Sequence, residues 1–174
     1  ARAKAGLEKL AAHFFGFDDN PTVLAEARRN AQQAGVAGFL HLGRQSLEHL
    51  KRPHEATGGG LLVCNPPYGQ RLGDQAALVP LYRTLGERLT QEFAGWRAAV
   101  ITSESALGKA IGLRAQKKYA LFNGALECEL YCFDLAPRDG SSCGEYRITF
   151  AKDPGYGPGR NFLIFEAVLP NPAP

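Results

Sequence analysis

The apolar run Leu61–Cys64 stops at the sequence Asn-Pro-Pro-Tyr, and this junction constrains the fold more than any other part of the chain. A short run of large apolar residues bounded by turn residues is typical of a buried strand. Two consecutive prolines cannot continue a helix or a central strand, because proline fixes φ and has no N–H donor. The junction therefore predicts a buried strand that ends in a stiff polar loop at one edge of a sheet.

The groups in this loop suit methylation of a planar amino nitrogen, such as the exocyclic amine of a nucleobase. The lone pair of that nitrogen is delocalised into the ring. Hydrogen-bond acceptors placed against its N–H groups favour the pyramidal form, in which the lone pair stays on the nitrogen, and they stabilise the positive charge that develops there. The side-chain oxygen of Asn65 and the carbonyl of Pro66 are two such acceptors. Pro67 stiffens the loop, and the Tyr68 ring offers a face on which a flat base stacks. The alternative is a simple tight turn, because prolines followed by Gly69 are common turn residues.

Strand-like and helix-like segments alternate over the first 112 residues, which predicts a mostly parallel sheet covered by helices. The clearest helix begins with Asn20 as N-cap and Pro21 at the first helical position, and Gly35 ends it. An antiparallel edge pair is expected around Asn123-Gly124. The expected strands are 13–17, 39–42, 61–64, 96–102, 119–122 and 130–135, and the expected helical segments are 3–12, 20–35, 47–50, 78–93 and 104–111.

Composition sets limits on the class of protein. The 174 residues suffice for one domain with a hydrophobic core, and the net charge of +3 is compatible with nucleic acid without indicating it. No apolar run approaches the roughly 20 residues of a membrane-spanning helix, and no signal peptide is visible. We therefore expect a cytoplasmic protein that does not contact a membrane. The sequence does not predict its oligomeric state.

The cysteines and glycines predict no cofactor site of their own. Cys64, Cys128, Cys132 and Cys143 form no C-x-x-C pair and have no histidine near them in sequence, so we expect free thiols and no metal. The glycines 58–60 lead into a strand rather than a helix, and we interpret them as a surface turn instead of a phosphate cradle.

Asp18 follows the strand 13–17, so it should lie at the same sheet edge as the Asn-Pro-Pro-Tyr loop. A carboxylate in that position accepts hydrogen bonds from both hydroxyls of a ribose. The alternative, which we expect for Asp19, is an acid that favours the N-terminus of the following helix.

Several longer motifs together resemble one family. They are GFDDNPTVLAEARRNAQQAGV, LLVCNPPYGQRLGD, LYRTLGERLTQEFAGWRAAVITS and LRAQKKYALFNGALECELYCFDL. Over roughly residues 1–136 the chain resembles the bacterial RlmL-type methyltransferases of large-subunit ribosomal RNA. The resemblance implies a Rossmann-like class I methyltransferase that transfers a methyl group from S-adenosylmethionine to N2 of a guanine in 23S ribosomal RNA. Related families with the same loop methylate adenine N6 or glutamine, so an N6-adenine methyltransferase and a non-catalytic RNA-binding remnant stay as alternatives.

The resemblance also implies roles for individual residues. Asp18 would hold the ribose of the donor, and Asn65, Pro66, Pro67 and Tyr68 would form the catalytic loop, with Asn65 also touching the donor. Ser46 stands where many enzymes of this class have an aspartate facing adenine. The glycine-rich turn that cradles the methionine part of the donor is expected before residue 1. A chain without methionine that opens inside a helix also predicts preceding sequence, unless an initiator methionine was removed.

RNA contacts are expected close to the edge pair. Lys117 and Lys118, with Lys109 and Arg114 before them, would contact phosphates, and the alternative is a solvated charged face. Phe122 and Asn123 would line the pocket for the target base. We divide the chain into a partial methyltransferase domain, 1–136, and a Gly- and Pro-rich tail of unknown role, 137–174. The tail has strand-like patches at 146–150 and 162–169 and does not resemble the family.

Overall fold

The computed structural model describes residues 13–56, 58–68, 74–136 and 164–166. The expected helix 3–12, Cys143 and the strand-like patch 146–150 lie outside these residues. The strands are β1 (Phe14–Asp18), β2 (Leu40–Arg44), β3 (Leu61–Cys64), β4 (Arg97–Thr102), β5 (Lys117–Asn123), β6 (Leu126–Asp134) and β7 (Ile164–Glu166). The helices are α1 (Pro21–Gln33), α2 (Asp74–Glu92) and α3 (Ser105–Ala110), with short 3-10 turns at Ala37–Phe39 and Leu47–His49.

The seven strands form one sheet in the order β2-β1-β7-β3-β4-β6-β5. The pairs β1–β2 and β3–β4 are parallel, and β6 and β7 are antiparallel to each of their neighbours. It follows that β1 to β5 all run in one direction and that β6 and β7 run in the other. The α/β architecture and the antiparallel edge pair β5–β6 are confirmed. A central antiparallel strand was not expected: β7 lies between β1 and β3.

Helix α1 begins and ends as the sequence predicts. The Asn20 side chain accepts a hydrogen bond from the backbone N–H of Thr22 at 2.9 Å, and Pro21 is the first helical residue. Gly35 follows the helix with φ of +70°, a left-handed conformation that favours glycine. This fixed start places the end of β1 and the first turn of α1 side by side.

The core of the molecule lies around β3, β4 and α2. Its largest fully buried side chains are Trp96, Tyr82, Phe93, Phe133 and Leu62. The Trp96 indole N–H donates to the carbonyl of Gly58 at 3.0 Å, and a Cβ on Gly60 would lie 2.7 Å from the indole ring. The prediction of a simple surface turn at 58–60 is therefore wrong for Gly60, which is buried because the ring of Trp96 packs directly on its backbone.

The β5–β6 hairpin is longer than expected, and its turn is displaced by one residue. Asn123 pairs with Leu126, so Gly124 and Ala125 are the central residues of the turn. Gly124 has φ of +64°, and none of the described non-glycine residues has a positive φ. A positive φ at the first central position alone is the pattern of a type II′ turn. Asn123 consequently belongs to the end of β5 and not to the turn.

The packing of α2 against the end of α3 generates a stability prediction. A Cβ on Gly86 would lie 1.8 Å from the carbonyl oxygen of Ile111, which is backbone and cannot rotate away. Gly86→Ala should therefore destabilise the protein by about 1–3 kcal/mol, although alanine normally favours a helix by about 1 kcal/mol. The measurement is urea denaturation followed by circular dichroism.

Gly38→Ala is the matched control, because no heavy atom of the described residues other than its chain neighbours lies within 4 Å of the added methyl group, and its φ is not in the left-handed range. Its free energy of unfolding should stay within about 0.5 kcal/mol of the original protein. A Gly86→Ala variant as stable as this control would contradict the close approach of α2 and Ile111.

Candidate active site

A cavity of about 630 Å³ opens at the edge of the sheet where the parallel strands end. This volume lies in the range of small-molecule sites, and the carboxyl ends of parallel strands are where open α/β sheets bind ligands. Residues that end or closely follow β1, β2 and β3 supply most of the polar groups of the wall, α1 adds Glu26, and α2 covers one side with Leu81 and Leu85. The polar wall residues are Asp18, Asp19, Asn20, Glu26, Gln45, Ser46, Glu48 and Asn65, and the other wall residues of the loop are Pro66 and Pro67.

Asn65 stands at the centre of this edge, directly after β3. Its side-chain oxygen Oδ1 is buried and has no hydrogen-bond partner among the described residues. Pro66 beside it is buried and Pro67 is exposed, so the loop packs against the protein through Pro66. A buried oxygen without a donor costs about 1–3 kcal/mol relative to one that accepts a hydrogen bond.

Asp18 faces the same cavity at the end of β1. Its Oδ1 accepts a hydrogen bond of 2.8 Å from the backbone N–H of Asn20. That bond supports the interpretation of Asp18 as a residue that organises the helix start. A carboxylate has about four acceptor positions, however, so one backbone bond leaves capacity for hydroxyl groups of a ligand. The two predicted roles are compatible.

Ser46 also lies in the wall, but its hydroxyl already has partners. Ser46 Oγ lies 3.0 Å from Nδ1 of His49 in the turn that follows β2. The pKa of the exposed Glu48 is lowered by a hydrogen bond to its own backbone and next by the Ser46 side chain. The serine hydroxyl therefore organises its own turn.

Gln45 is the wall residue that the sequence did not single out. Its Oε1 is buried and, like Asn65 Oδ1, has no hydrogen-bond partner in the part of the chain that the structure describes. Its position directly after β2 was the available signal, since residues at strand ends face this edge. The free amide oxygen became visible only with the coordinates.

Tyr68 lies outside the cavity wall and contacts the hairpin instead. Asn123 Nδ2 donates to the Tyr68 hydroxyl at 2.6 Å, and the tyrosine ring packs partly buried against the core. Burial raises the pKa of Tyr68, an effect that the Asn123 hydrogen bond opposes. Burial also raises the pKa of Cys64, at the end of β3, to about 12. Both groups therefore stay protonated near neutral pH, and neither serves as a general base.

The remaining predicted RNA contacts are spread along the hairpin. Phe122 is exposed, and because strand side chains alternate it faces the opposite side of β5 from Asn123. Lys117 lies six residues from Asn123, about 20 Å along the strand. Lys118 is exposed and holds its ammonium 4.4 Å from the centre of the Tyr131 ring. The structure thus brings Asn123 to the Asn-Pro-Pro-Tyr loop and leaves Phe122 and the two lysines away from the cavity wall.

Comparison with known proteins supplies the family. Residues 1–132 match the family model described as UPF0020, RMKL-like, methyltransferase domain. The chain is 42% identical over 137 residues to the ribosomal RNA large subunit methyltransferase K/L of Pseudomonas paraeruginosa (strain PA7), which covers 79% of this chain and 19% of that protein. The corresponding protein of Legionella pneumophila (strain Lens) is 48% identical over 130 residues, 75% of this chain and 18% of that protein. The chain therefore spans about a fifth of the length of these relatives.

Solved structures agree with this match. The structure of SMU.472 complexed with SAH aligns with a TM-score of 0.63 at 32% identity, covering 71% of this chain and 32% of that one. A predicted N6-adenine-specific DNA methylase from Listeria monocytogenes aligns with a TM-score of 0.59 at 28% identity, covering 71% and 30%. These likenesses confirm the Rossmann-like class I methyltransferase fold. Among the described residues, no helix combines the length and the apolar composition needed to cross a membrane.

The contact between the hairpin and the loop generates a coupling prediction. Asn123→Ala and Tyr68→Phe each remove one partner of the 2.6 Å hydrogen bond, so in a double-mutant cycle their effects on the free energy of unfolding should couple by about 0.5–1.5 kcal/mol. Phe122→Ala combined with Tyr68→Phe is the control, since Phe122 lies on the other face, and those two effects should add. Additivity of the Asn123 and Tyr68 variants would contradict the contact.

Proposed function

We propose, from the premise that this chain belongs to the UPF0020 family of RMKL-like methyltransferase domains, that it carries the donor-binding and catalytic edge of an RNA methyltransferase. The reaction is transfer of a methyl group from S-adenosylmethionine to N2 of a guanine in large-subunit ribosomal RNA. The names of the relatives support the RNA substrate, and the SAH held by a structural neighbour supports the donor. The choice of guanine N2 rests on the resemblance of the motifs around LFNGAL.

One observation carries this proposal: Asn65, whose side-chain oxygen Oδ1 is buried and has no hydrogen-bond partner among the described residues, lines the same cavity as Asp18. Asn65 offers an acceptor for an amine N–H, Asp18 offers acceptors for ribose hydroxyls, and both residues border one cavity. The residues present therefore fit the donor.

S-adenosylmethionine supplies, when bound, an electrophilic methyl group on a sulfonium with a neutral leaving group. Asn65 Oδ1 accepts an N–H of the target amine and favours its pyramidal form, while the adjacent prolines keep that oxygen in place. Asp18 accepts from the ribose. The Tyr68 ring, positioned by Asn123, supports the flat face of the target base, and Lys117 and Lys118 attract the phosphates of the RNA from farther along the hairpin.

The alternative substrate is the amino group of adenine, which is conjugated in the same way and fits the same loop. The name of the Listeria monocytogenes neighbour includes that activity. Mass spectrometry of ribosomal RNA nucleosides from cells that lack the gene separates the two reactions. Loss of N2-methylguanosine supports the proposal, and loss of N6-methyladenosine with N2-methylguanosine intact overturns it. Absence of any S-adenosylmethionine binding by the full-length protein would support the non-catalytic remnant.

The division of the chain into a methyltransferase part, 1–136, and a tail, 137–174, stays a prediction.

The role of Asn65 is tested by Asn65→Ala in the full-length enzyme. Loss of one preorganised hydrogen-bond partner of the transition state should lower kcat by roughly 10²–10³-fold. The affinity for S-adenosylmethionine, measured by calorimetry, should change far less. Asn30→Ala on the exposed face of α1 is the control with the same chemical change, and its turnover should stay near that of the original enzyme. Near-normal turnover in Asn65→Ala would refute the assignment.

A further inference from the structure

The two faces of the hairpin β5–β6 differ in chemistry. Side chains alternate along each strand, and residues directly opposite each other in an antiparallel pair share a face. The loop-side face carries Lys117, Tyr119, Leu121 and Asn123 of β5. It is the face that meets the Asn-Pro-Pro-Tyr loop, because the Asn123 side chain donates a hydrogen bond to the Tyr68 hydroxyl. This face therefore extends away from the proposed site along the hairpin.

Tyr119 is the exposed aromatic residue of the loop-side face, with 47% of its surface accessible. It precedes Asn123 by four positions, which corresponds to about 13 Å along an extended strand. Lys117 is also exposed and lies about 7 Å farther from the loop on the same face. An aromatic ring beside a cation suits single-stranded RNA, because a base stacks on the ring while the ammonium contacts a phosphate.

The opposite face suits RNA less well, although its aromatic residue is more exposed. Phe122 is 74% exposed, but it pairs with Glu127, and Glu129 lies two residues farther along the same face of β6. These carboxylates repel the phosphates that flank a base stacked on Phe122. Lys118, the cation of this face, already holds its ammonium 4.4 Å from the centre of the Tyr131 ring. Exposure alone favours Phe122, whereas charge favours Tyr119.

The acid that β6 places on the loop-side face is paired with a cation. Asp134 lies at the end of β6 away from the turn, and its Oδ1 is 3.0 Å from Nε of Arg97. This ion pair keeps the carboxylate from opposing the attraction of Lys117 for phosphates. Between Asn123 and Tyr119 the same face continues as the half-buried Leu121, so an apolar and uncharged surface connects the loop to Tyr119.

We propose that Tyr119 stacks a base of the ribosomal RNA that lies close in sequence to the target guanine, and that Lys117 contacts a phosphate beyond it. The separation of about 13 Å corresponds to about four nucleotides at the roughly 3.4 Å rise of a stacked strand, and to fewer in an extended one. Tyr119 would then hold the flanking strand while Tyr68 supports the target base. This inference rests on the proposed function, because it assumes that a guanine of RNA reaches Asn65.

The test is steady-state methyl transfer by the full-length enzyme to protein-free large-subunit ribosomal RNA from cells that lack the gene. Tyr119→Ala should raise the KM for RNA about 5–100-fold, the scale of one base stacked on an aromatic ring. The kcat should stay close to that of the original enzyme, because the contact is remote from the reacting atoms. Tyr119→Phe keeps the ring and should stay within about threefold of the original KM. The affinity for S-adenosylhomocysteine should not change in either variant.

Phe122→Ala is the matched control, because it removes a more exposed ring from the opposite face of the same strand. Its KM should equal that of the original enzyme. A higher KM for Phe122→Ala, without one for Tyr119→Ala, overturns the inference. Self-association that is lost in Tyr119→Ala while KM stays the same, measured by sedimentation, also overturns it and identifies the face as an interface between copies.

Changes in the RNA test the contact without altering the protein. In ribosomal RNA reassembled with a synthetic segment, abasic sites are placed one at a time within about four nucleotides of the target guanine. At the stacked position the abasic site should raise the KM of the original enzyme and add no further increase in Tyr119→Ala. Independent effects at every position defeat this inference alone. Failure of the original enzyme to form N2-methylguanosine defeats the proposed function and this inference together.

Discussion

A buried polar atom without a partner is the constraint on which the site depends. Asn65 Oδ1 sits at the end of β3, the strand whose residues Leu61, Leu62 and Cys64 are at most 4% exposed. Such an oxygen lowers the stability of the free protein, so the surrounding structure must hold it firmly. The buried apolar side chains of β3 on one side and the two rigid prolines on the other keep Asn65 in place. In the proposed reaction, the oxygen that is unfavourable in the free fold would gain a hydrogen bond from the amine N–H of the target base.

The common direction of β1 to β5 explains how distant residues reach one edge. Each of these strands ends at the same side of the sheet, so Asp18, Gln45, Asn65 and Asn123 emerge together although they span more than 100 residues of sequence. Asn123 reaches Tyr68 because β5 ends there and the short turn at Gly124 returns the chain at once into β6. Tyr68 is consequently fixed from the hairpin side, and Asn65 is fixed from the core side.

Local signals predicted the parts of this arrangement that depend on backbone geometry. Asn20 and Pro21 mark the start of α1, and the apolar run Leu61–Cys64 has the bounds of β3 as predicted, because capping and burial act over a few residues. The features that the sequence did not predict correctly depend on contacts between segments that are distant in the chain. Gly60 is buried by the ring of Trp96, which lies 36 positions later in the chain. Whether the Gln45 side-chain oxygen has a hydrogen-bond partner depends on how segments distant in sequence are placed around it, and among the described residues it has none. No pattern within a short window contains that information.

The distance between the ends of β1 and β3 depends on the strand that lies between them. Strand β7 pairs with both β1 and β3, and it separates them by one strand position on each side. If β1 and β3 paired directly, Asp18 and Asn65 would approach each other by about 5 Å, and the proposed donor site would be shorter by one strand spacing. The separation depends on the presence of an extended chain in that position and not on its direction, since the spacing of neighbouring strands is nearly the same in parallel and antiparallel pairs. The strand between β1 and β3 therefore sets the separation of the strand ends, and the residues at those ends supply polar groups of the cavity wall.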